Sequence, residues 1–267
     1  MSEEIRVVVT GAAGRMGREV IKAVLKEQDL NLAGAIDIKA VGTDVGEMVG
    51  LPKKGVTVQP ELRKVLENTR AHVLVDFTNP QAVIRNAKTA LNNGISPVIG
   101  TTGLDEVEIE ELRKVAERTG LGVLIAPNFA LGAVLMMDFT RRAARYFKHV
   151  EIIELHHDQK IDAPSGTALK TAQMIEAERE PFRQGHPDEY EKILGVRGGE
   201  WKGIRIHSVR LPGLVAHQEV IFGTLGQVLT IRHDSLSRES FMPGVVLGIR
   251  RVRHLKGVVI GLENILD

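Results

Sequence analysis

The sequence predicts an α/β protein, with an N-terminal doubly wound parallel sheet and a smaller α+β domain containing a mixed sheet. Three observations carry this. Residues 5–126 alternate short continuous apolar runs with segments whose apolar residues recur at helical spacing, the pattern of strands buried on both faces and joined by helical crossovers. A glycine-rich turn stands where the first apolar run meets the first helical segment. After Asn128 the alternation stops, and three adjacent strand-like runs follow in the last third of the chain.

The elements follow in order. Ile5, Arg6, Val7, Val8, Val9 and Thr10 form the first strand, and Val20, Val24 and Leu25 mark the helix after it. Residues 32–37 form a second strand and 72–76 another. A helix over 80–91, a strand over 95–99, a helix over 105–118 and a strand over 121–126 complete the series. A helix over 131–147 then leads to a strand ending near Leu155. Pro164 and Ser165 are start signals for a helix with Ala168, Leu169, Ala172 and Ile175 on one face. Residues 180–202, rich in Gly, Pro and charge, read as a long loop. Strands over 203–211, 217–223 and 227–233 imply an antiparallel or mixed sheet, and a final helical segment over 237–255 returns to the first domain. The domain boundaries are therefore 1–128 with 237–267, and 129–236.

Composition narrows the class of function. The chain has 267 residues, 43% hydrophobic and 26% charged, with a formal net charge of +1. It carries no global field to attract nucleic acid or an anionic membrane. The basic run Arg250, Arg251, Arg253, His254 and Lys256 suits a helix C-terminus, where cations complement the dipole. Residues 121–137 carry no charge, but Pro127-Asn128 interrupts them and the run falls short of the ~20 residues of a bilayer span. The start, Met-Ser-Glu-Glu-Ile-Arg, lacks the apolar core of a signal peptide, so a cytoplasmic protein is expected. The absence of cysteine excludes disulfides, thiolate catalysis and Cys-based metal sites.

Gly11-Ala12-Ala13-Gly14-Arg15-Met16-Gly17 lies at the first strand-to-helix turn. A pyrophosphate there needs a tight turn, close backbone approach and helix N–H groups, and glycines at 11, 14 and 17 allow all three. The spacing is G-x-x-G-x-x-G, and no Gly-Lys-Ser/Thr follows, so the turn is Rossmann-type rather than a P-loop. Asp37, 20 residues past Gly17, stands where a carboxylate binds ribose hydroxyls. It favours NADH by repelling a 2′-phosphate, whereas Lys39 partly offsets that repulsion, so the choice between NADH and NADPH stays open. Gly100-Thr101-Thr102-Gly103 and Ala126-Pro127-Asn128-Phe129 follow two further strands, at the carboxyl edge where such sheets bind ligands or simply turn.

The most informative stretch runs from Glu154 to Ala168. His156, His157 and Lys160 place proton donors and positive charge just before Ser165-Gly166-Thr167. The free N–H groups of Ser165, Gly166 and Thr167 would form a carboxylate seat at a positive helix end. Together they describe a site for a small anionic substrate that must be protonated. A metal reading of the His pair needs further ligands at suitable spacing, and Lys160 stands where a third would be wanted, so no metal is expected.

Gly11–Gly17, Gly100–Gly103, Ala126–Phe129 and, above all, the His-His-x-x-Lys-x-Asp-Ala-Pro-Ser-Gly-Thr block resemble the dihydrodipicolinate reductase family, also called 4-hydroxy-tetrahydrodipicolinate reductase, in order and across essentially the whole chain. The resemblance implies reduction of 4-hydroxy-tetrahydrodipicolinate, with loss of water, to tetrahydrodipicolinate on the route to diaminopimelate and lysine. It implies NADH or NADPH as cofactor and a homotetramer built through the sheets of the second domain. It makes His156 the catalytic proton donor and acceptor and Lys160 a second donor. His157, Ser165, Gly166 and Thr167 would bind the dicarboxylate. Gly11, Ala12, Ala13, Gly14, Arg15, Met16, Gly17, Asp37, Lys39, Gly100, Thr101, Thr102, Ala126, Pro127, Asn128 and Phe129 would line the dinucleotide site. Where some relatives place Arg directly after the acidic residue, this chain has Ile38 and then Lys39. The alternatives are another two-domain NAD(P)-dependent reductase, which would not require the whole His156–Thr167 block, and a non-catalytic dinucleotide sensor, which would need neither His156 nor Lys160.

Overall fold

The computed structural model describes residues 4–180 and 183–266. The chain divides into two compact units, one holding the described residues up to Ala130 and those from Arg238 onward, the other spanning Leu131–Ser237. The first contains β1 (Ile5–Thr10), α1 (Arg15–Lys26), β2 (Leu30–Ile36), α2 (Val45–Met48), β3 (Val58–Gln59), α3 (Leu62–Thr69), β4 (Val73–Asp76), α4 (Pro80–Asn92), β5 (Ser96–Ile99), α5 (Glu106–Thr119) and β6 (Gly122–Ile125). The second contains α6 (Leu131–Ala144), β7 (His149–His156), α7 (Gly166–Glu176), β8 (Gly199–Trp201), β9 (Ile204–Arg210), β10 (Ala216–Thr224) and β11 (Gln227–Ser235). The chain then returns to the first unit as α8 (Met242–Val252) and β12 (Gly257–Ile260).

The first unit is built on a seven-stranded sheet ordered β12-β6-β5-β4-β1-β2-β3, with every pairing parallel. The chain winds outward from β1 through β2 to β3, then restarts at β4 on the other side. The carboxyl ends of β1 and β4 therefore flank a switch point, where such sheets open a crevice. Val7, Val8, Val9, Val73, Leu74, Val75, Val98 and Leu124 have no exposed surface, as both faces carry helices. Leu112 of α5 packs with Leu91, Ile99, Val123 and Ile125, and its truncation to Ala would destabilise the unit by about 2–5 kcal/mol. Local signals agree with the fold. Asn79 caps α4 ahead of Pro80, and Asp105 and Glu108 close a capping box on α5.

The second unit is a five-stranded mixed sheet ordered β11-β10-β7-β9-β8. Its parallel pairing, β7 with β9, sets Glu154 opposite Ser208 and His156 opposite Arg210. Side chains alternate along strands, so Val150, Ile152, Glu154 and His156 share one face. That face carries the core, in which Ile152, Ile204, Ile206, Val220 and Phe222 pack with Ala168, Ala172 and Ile175 of α7.

The structure places α2, β3 and α3 where no element is expected, and four further features depart from the sequence expectations. The helix expected over 131–147 ends at Ala144, where the N–H groups of Tyr146 and Phe147 turn back onto the Ala143 carbonyl. The expected 180–202 loop contains β8, which pairs with β9 at its end. The 237–255 segment opens as a 3₁₀ turn over Arg238–Phe241 before α8. Beyond it, the short run Gly257–Ile260 adds a strand to the first sheet by pairing with β6.

Candidate active site

In the first unit, the glycine turn is fixed by close packing. Gly11 has φ +73°, and a Cβ there would lie 2.5 Å from the carbonyl oxygen of Phe77. Gly17 lies in the first turns of α1, where a Cβ would come within 2.0 Å of the Gly11 carbonyl oxygen. The turn is thus pressed between the start of α1 and the chain leaving β4. Gly14, at the N-cap of α1, offers no side-chain cap, which leaves the helix end open to an anion. Arg15 is exposed and Met16 half-buried at that end.

Asp37 reaches back to this turn. One carboxylate oxygen accepts the Ala13 N–H at 2.9 Å and the other accepts the Lys39 N–H at 2.9 Å. The Ala12 N–H donates to the Ile36 carbonyl at 3.1 Å, joining the two strand ends again. Ile38 and Lys39 are exposed beside the carboxylate. On the other side of the switch point, Gly100 lies against the Phe77 ring, which would meet a Cβ at 2.1 Å. Phe77 in turn packs on the buried Phe129, ring centroids 5.8 Å apart. Thr102 and Pro127 are exposed, Asn128 is half-buried, and Ala126 is buried. Asn128 accepts the Ala130 N–H through Oδ1 at 2.9 Å.

Sequence reasoning missed Asp76, which organises this edge. It is wholly buried at the end of β4. Oδ1 accepts from the Thr78 N–H and hydroxyl and from the Thr101 hydroxyl, at 3.0, 2.7 and 2.9 Å. Oδ2 accepts from the Thr10 hydroxyl and the Asn86 amide, at 2.7 and 2.9 Å. The Thr101 side chain therefore points into this cluster, leaving its backbone as the part that can meet a ligand. An Asp after an apolar run is the only sign in the sequence, and its partners are scattered along it.

In the second unit, Glu154 organises the His block. It has no exposed surface, yet it is a carboxylate held well below its usual range, at about 2. Burial pushes that value up, and hydrogen bonds from His156, Arg210 and Ser208 outweigh it. Oε2 meets His156 Nδ1 at 2.6 Å. Arg210 grips both oxygens through Nη1 and Nη2, at 2.9 and 2.7 Å. An acceptor-only carboxylate requires the proton on Nδ1, which leaves Nε2 as the nitrogen available for proton exchange.

The same network reaches the rest of the block. Arg210 Nη2 donates to the Asp162 carbonyl at 2.8 Å, and Asp162 Oδ1 accepts from Lys160 Nζ at 2.7 Å. The Lys160 N–H donates to the His157 carbonyl at 3.2 Å, and the His157 side chain is exposed. Ser165 corrects an expectation. Its N–H is not free, for it donates to Glu154 Oε1 at 3.2 Å, while Oγ accepts the Ala168 N–H as the cap of α7. Ser165 anchors the helix start, and Gly166 and Thr167 form its open first turn. A Cβ on Gly166 would meet nothing within 4 Å.

Comparisons with known proteins identify the family. The family model "Dihydrodipicolinate reductase, N-terminus" matches residues 5–129, and "Dihydrodipicolinate reductase, C-terminus" matches residues 132–266. The chain belongs to the dihydrodipicolinate reductase family. A 4-hydroxy-tetrahydrodipicolinate reductase of Desulfitobacterium hafniense is 58% identical over 266 residues, covering 99% of this chain and 100% of that one. Its counterpart in Moorella thermoacetica is 55% identical over 267 residues, with both chains fully covered. A solved structure described as dipicolinate-bound dihydrodipicolinate reductase from Paenisporosarcina sp. TG-14 is similar, with a TM-score of 0.90 and 47% identity, covering 98% of this chain and 100% of that one. Within this member of the family, Arg210 is the site residue that no local motif could reveal. It lies 56 positions from Glu154 in sequence, and only the parallel register of β7 and β9 brings them together.

Proposed function

We propose that this chain catalyses the NAD(P)H-dependent reduction of 4-hydroxy-tetrahydrodipicolinate, with loss of water, to tetrahydrodipicolinate in the diaminopimelate route to lysine. The observation that carries this reading is the hydrogen-bonded chain His156–Glu154–Arg210–Asp162–Lys160 beside the open helix start at Gly166-Thr167. It joins two proton donors to an anion seat within one unit.

The residues of the first unit fit a dinucleotide. The glycine cradle at 11, 14 and 17 admits a pyrophosphate, Asp37 faces the turn where a ribose is read, and Gly100 and Ala126–Phe129 border the crevice beyond β4. When bound, NADH or NADPH supplies the hydride. His156 gives a proton from Nε2 to the carbon left electron-rich in the substrate ring, and Glu154 stabilises the imidazolium through Nδ1. Lys160 neutralises negative charge on the substrate and acts as the second proton donor. His157 and the N–H groups of Gly166 and Thr167 hold the carboxylates. Loss of the hydroxyl as water, then one hydride and one proton, balances the conversion.

Two finer readings accompany this one. The chain works in the cytoplasm, and four copies assemble through the second sheet. Ile153, Leu155, Val209, Ile221 and Val228 alternate with the core residues and so lie on the sheet face away from α7, interleaved with the ion pairs of Glu151 with His207 and of Glu219 with Arg232, a mixed surface suited to a like partner. Reduced-nicotinamide consumption with freshly generated substrate tests the activity. Substrate-dependent oxidation of NADH or NADPH is expected, and its absence with both would overturn the reading. Sedimentation would report the assembly.

A further inference from the structure

We infer that Arg210 is a positioning residue for proton transfer, acting through Glu154 on His156 and through Asp162 on Lys160. The inference rests on the reading of His156 and Lys160 as proton donors and adds the device that aims them. Four of the five guanidinium N–H donors have acceptors. Nη1 serves Glu154 Oε2 at 2.9 Å and the Val209 carbonyl at 2.8 Å, while Nη2 serves Glu154 Oε1 at 2.7 Å and the Asp162 carbonyl at 2.8 Å. Two of these bonds fix the carboxylate that His156 leans on, and a third fixes the backbone of the residue paired with Lys160. One planar cation thus joins the strand carrying His156 to the loop carrying Lys160.

A general need to neutralise a buried acid explains less. A buried ion pair is a weak source of stability, because desolvation offsets most of the attraction. A point charge would also leave the carboxylate free to rotate, whereas the fork sets its plane. That plane directs Oε2 to His156 Nδ1 at 2.6 Å and Oε1 to the Ser165 N–H at 3.2 Å. The orientation of the imidazole and the start of the carboxylate-seat helix follow from the same two oxygens.

The groups around Glu154 make its dependence on Arg210 readable. On its own strand it faces His156, and from β9 it faces Arg210 and Ser208. The loop before α7 contributes Asp162, paired with Lys160, and the Ser165 N–H. On β10 the residue opposite is the neutral Gln218. Arg210 is therefore the only permanent cation bonded to this carboxylate among the described residues. Without it, burial raises the acid's affinity for a proton, and a protonated Glu154 no longer requires Nδ1 of His156 to be the donor.

Arg210→Gln is the test, read in two ways. In ligand-free protein, ¹⁵N spectra of His156 should change from the Nδ1-protonated pattern to a mixture of tautomers. In turnover, kcat should fall by about tenfold or more, and its acid limb should move up by about one pH unit. Adding R210Q in an E154Q background should cause little further loss, because the effect passes through Glu154. Unchanged His156 spectra overturn the inference, as does a kcat loss that is uniform across pH. Should R210Q fail to fold, Arg210→Lys keeps the cation and gives up the fork. Tautomer exchange at His156 is expected there too, and a wild-type spectrum overturns the inference. The spectra require no turnover, so they stay informative even if wild-type protein proves inactive on the proposed substrate.

Discussion

Glu154 and His156 lie two residues apart on β7, project to the same face of the sheet, and meet through a 2.6 Å contact between Oε2 and Nδ1. The carboxylate is wholly buried and the imidazole stands at the strand end. Strand periodicity alone creates this pairing, since residues i and i+2 share a face.

The first prediction concerns the proton donors. His156→Ala and Lys160→Ala should each lower kcat by ~10² to 10⁴, with a smaller effect on KM, because both act on charge that develops during the reaction. Steady-state kinetics on folded variants decides this. Near-normal kcat in both would remove these residues from the mechanism.

The helix start allows a paired test. Gly166→Ala should fold normally, since its Cβ meets nothing within 4 Å, yet it should weaken binding of pyridine-2,6-dicarboxylate by filling the seat. Thr167→Val should weaken the same ligand by about 1–3 kcal/mol through loss of a hydroxyl donor. Calorimetric titration reads both, and unchanged affinity in the pair would place the carboxylates elsewhere.

Asp37 gives the cofactor test. Asp37→Asn keeps an oxygen for the Ala13 N–H and removes the charge. The ratio of NADPH to NADH affinity should rise by about tenfold, equivalent to ~1.4 kcal/mol. A ratio that does not move would mean that Asp37 shapes the turn without reading the ribose.

Gly17 is a packing test. A Cβ there lies 2.0 Å from the Gly11 carbonyl oxygen, so Gly17→Ala must push α1 away from the turn. Stability should fall by about 1–3 kcal/mol, with loss of nucleotide binding. Thermal unfolding and nucleotide fluorescence together check it, and wild-type behaviour in both would contradict the close approach.

Acid stability follows from Glu154. Its pKa falls from 4.5 to about 2 on folding, so its contribution is fully present above 4.5 and is lost as pH drops toward 2. The shift corresponds to on the order of 3 kcal/mol. Urea unfolding should show wild-type stability declining through this window more steeply than that of Glu154→Gln. Parallel pH profiles for the two proteins would exclude Glu154 as the source.

Much of this molecule is legible in its amino-acid sequence. Val7–Val9 and Val73–Val75 announce buried parallel strands because their runs are continuous, and Gly11–Gly17 announces a tight strand-to-helix turn because close approach at Gly11 and Gly17 tolerates only glycine. Other parts are not legible there. β3 is only two residues long, and the alternation Val56-Thr57-Val58-Gln59, bounded by Gly55 and Pro60, is too short to declare a strand. β12 begins at Gly257, directly after a basic run that suits a helix end, and its four residues cannot declare a strand without β6 beside them. The links from Arg210 to Glu154 and from Asp76 to Thr10 depend on register, which no local pattern encodes.

The return of α8 and β12 to the first sheet also has a consequence during synthesis. Gly248 of α8 lies against Leu124 and Val98, and β12 covers the outer edge of β6. Both leave the ribosome only after the whole of Leu131–Ser237 has emerged. Until then β6 is an unpaired edge beside uncovered apolar side chains, a template for pairing with another nascent chain. The second unit is continuous in sequence and has all its strands available before the first is complete. Translation arrested inside it would therefore leave a nucleotide-binding sheet that is open along one side and prone to aggregate.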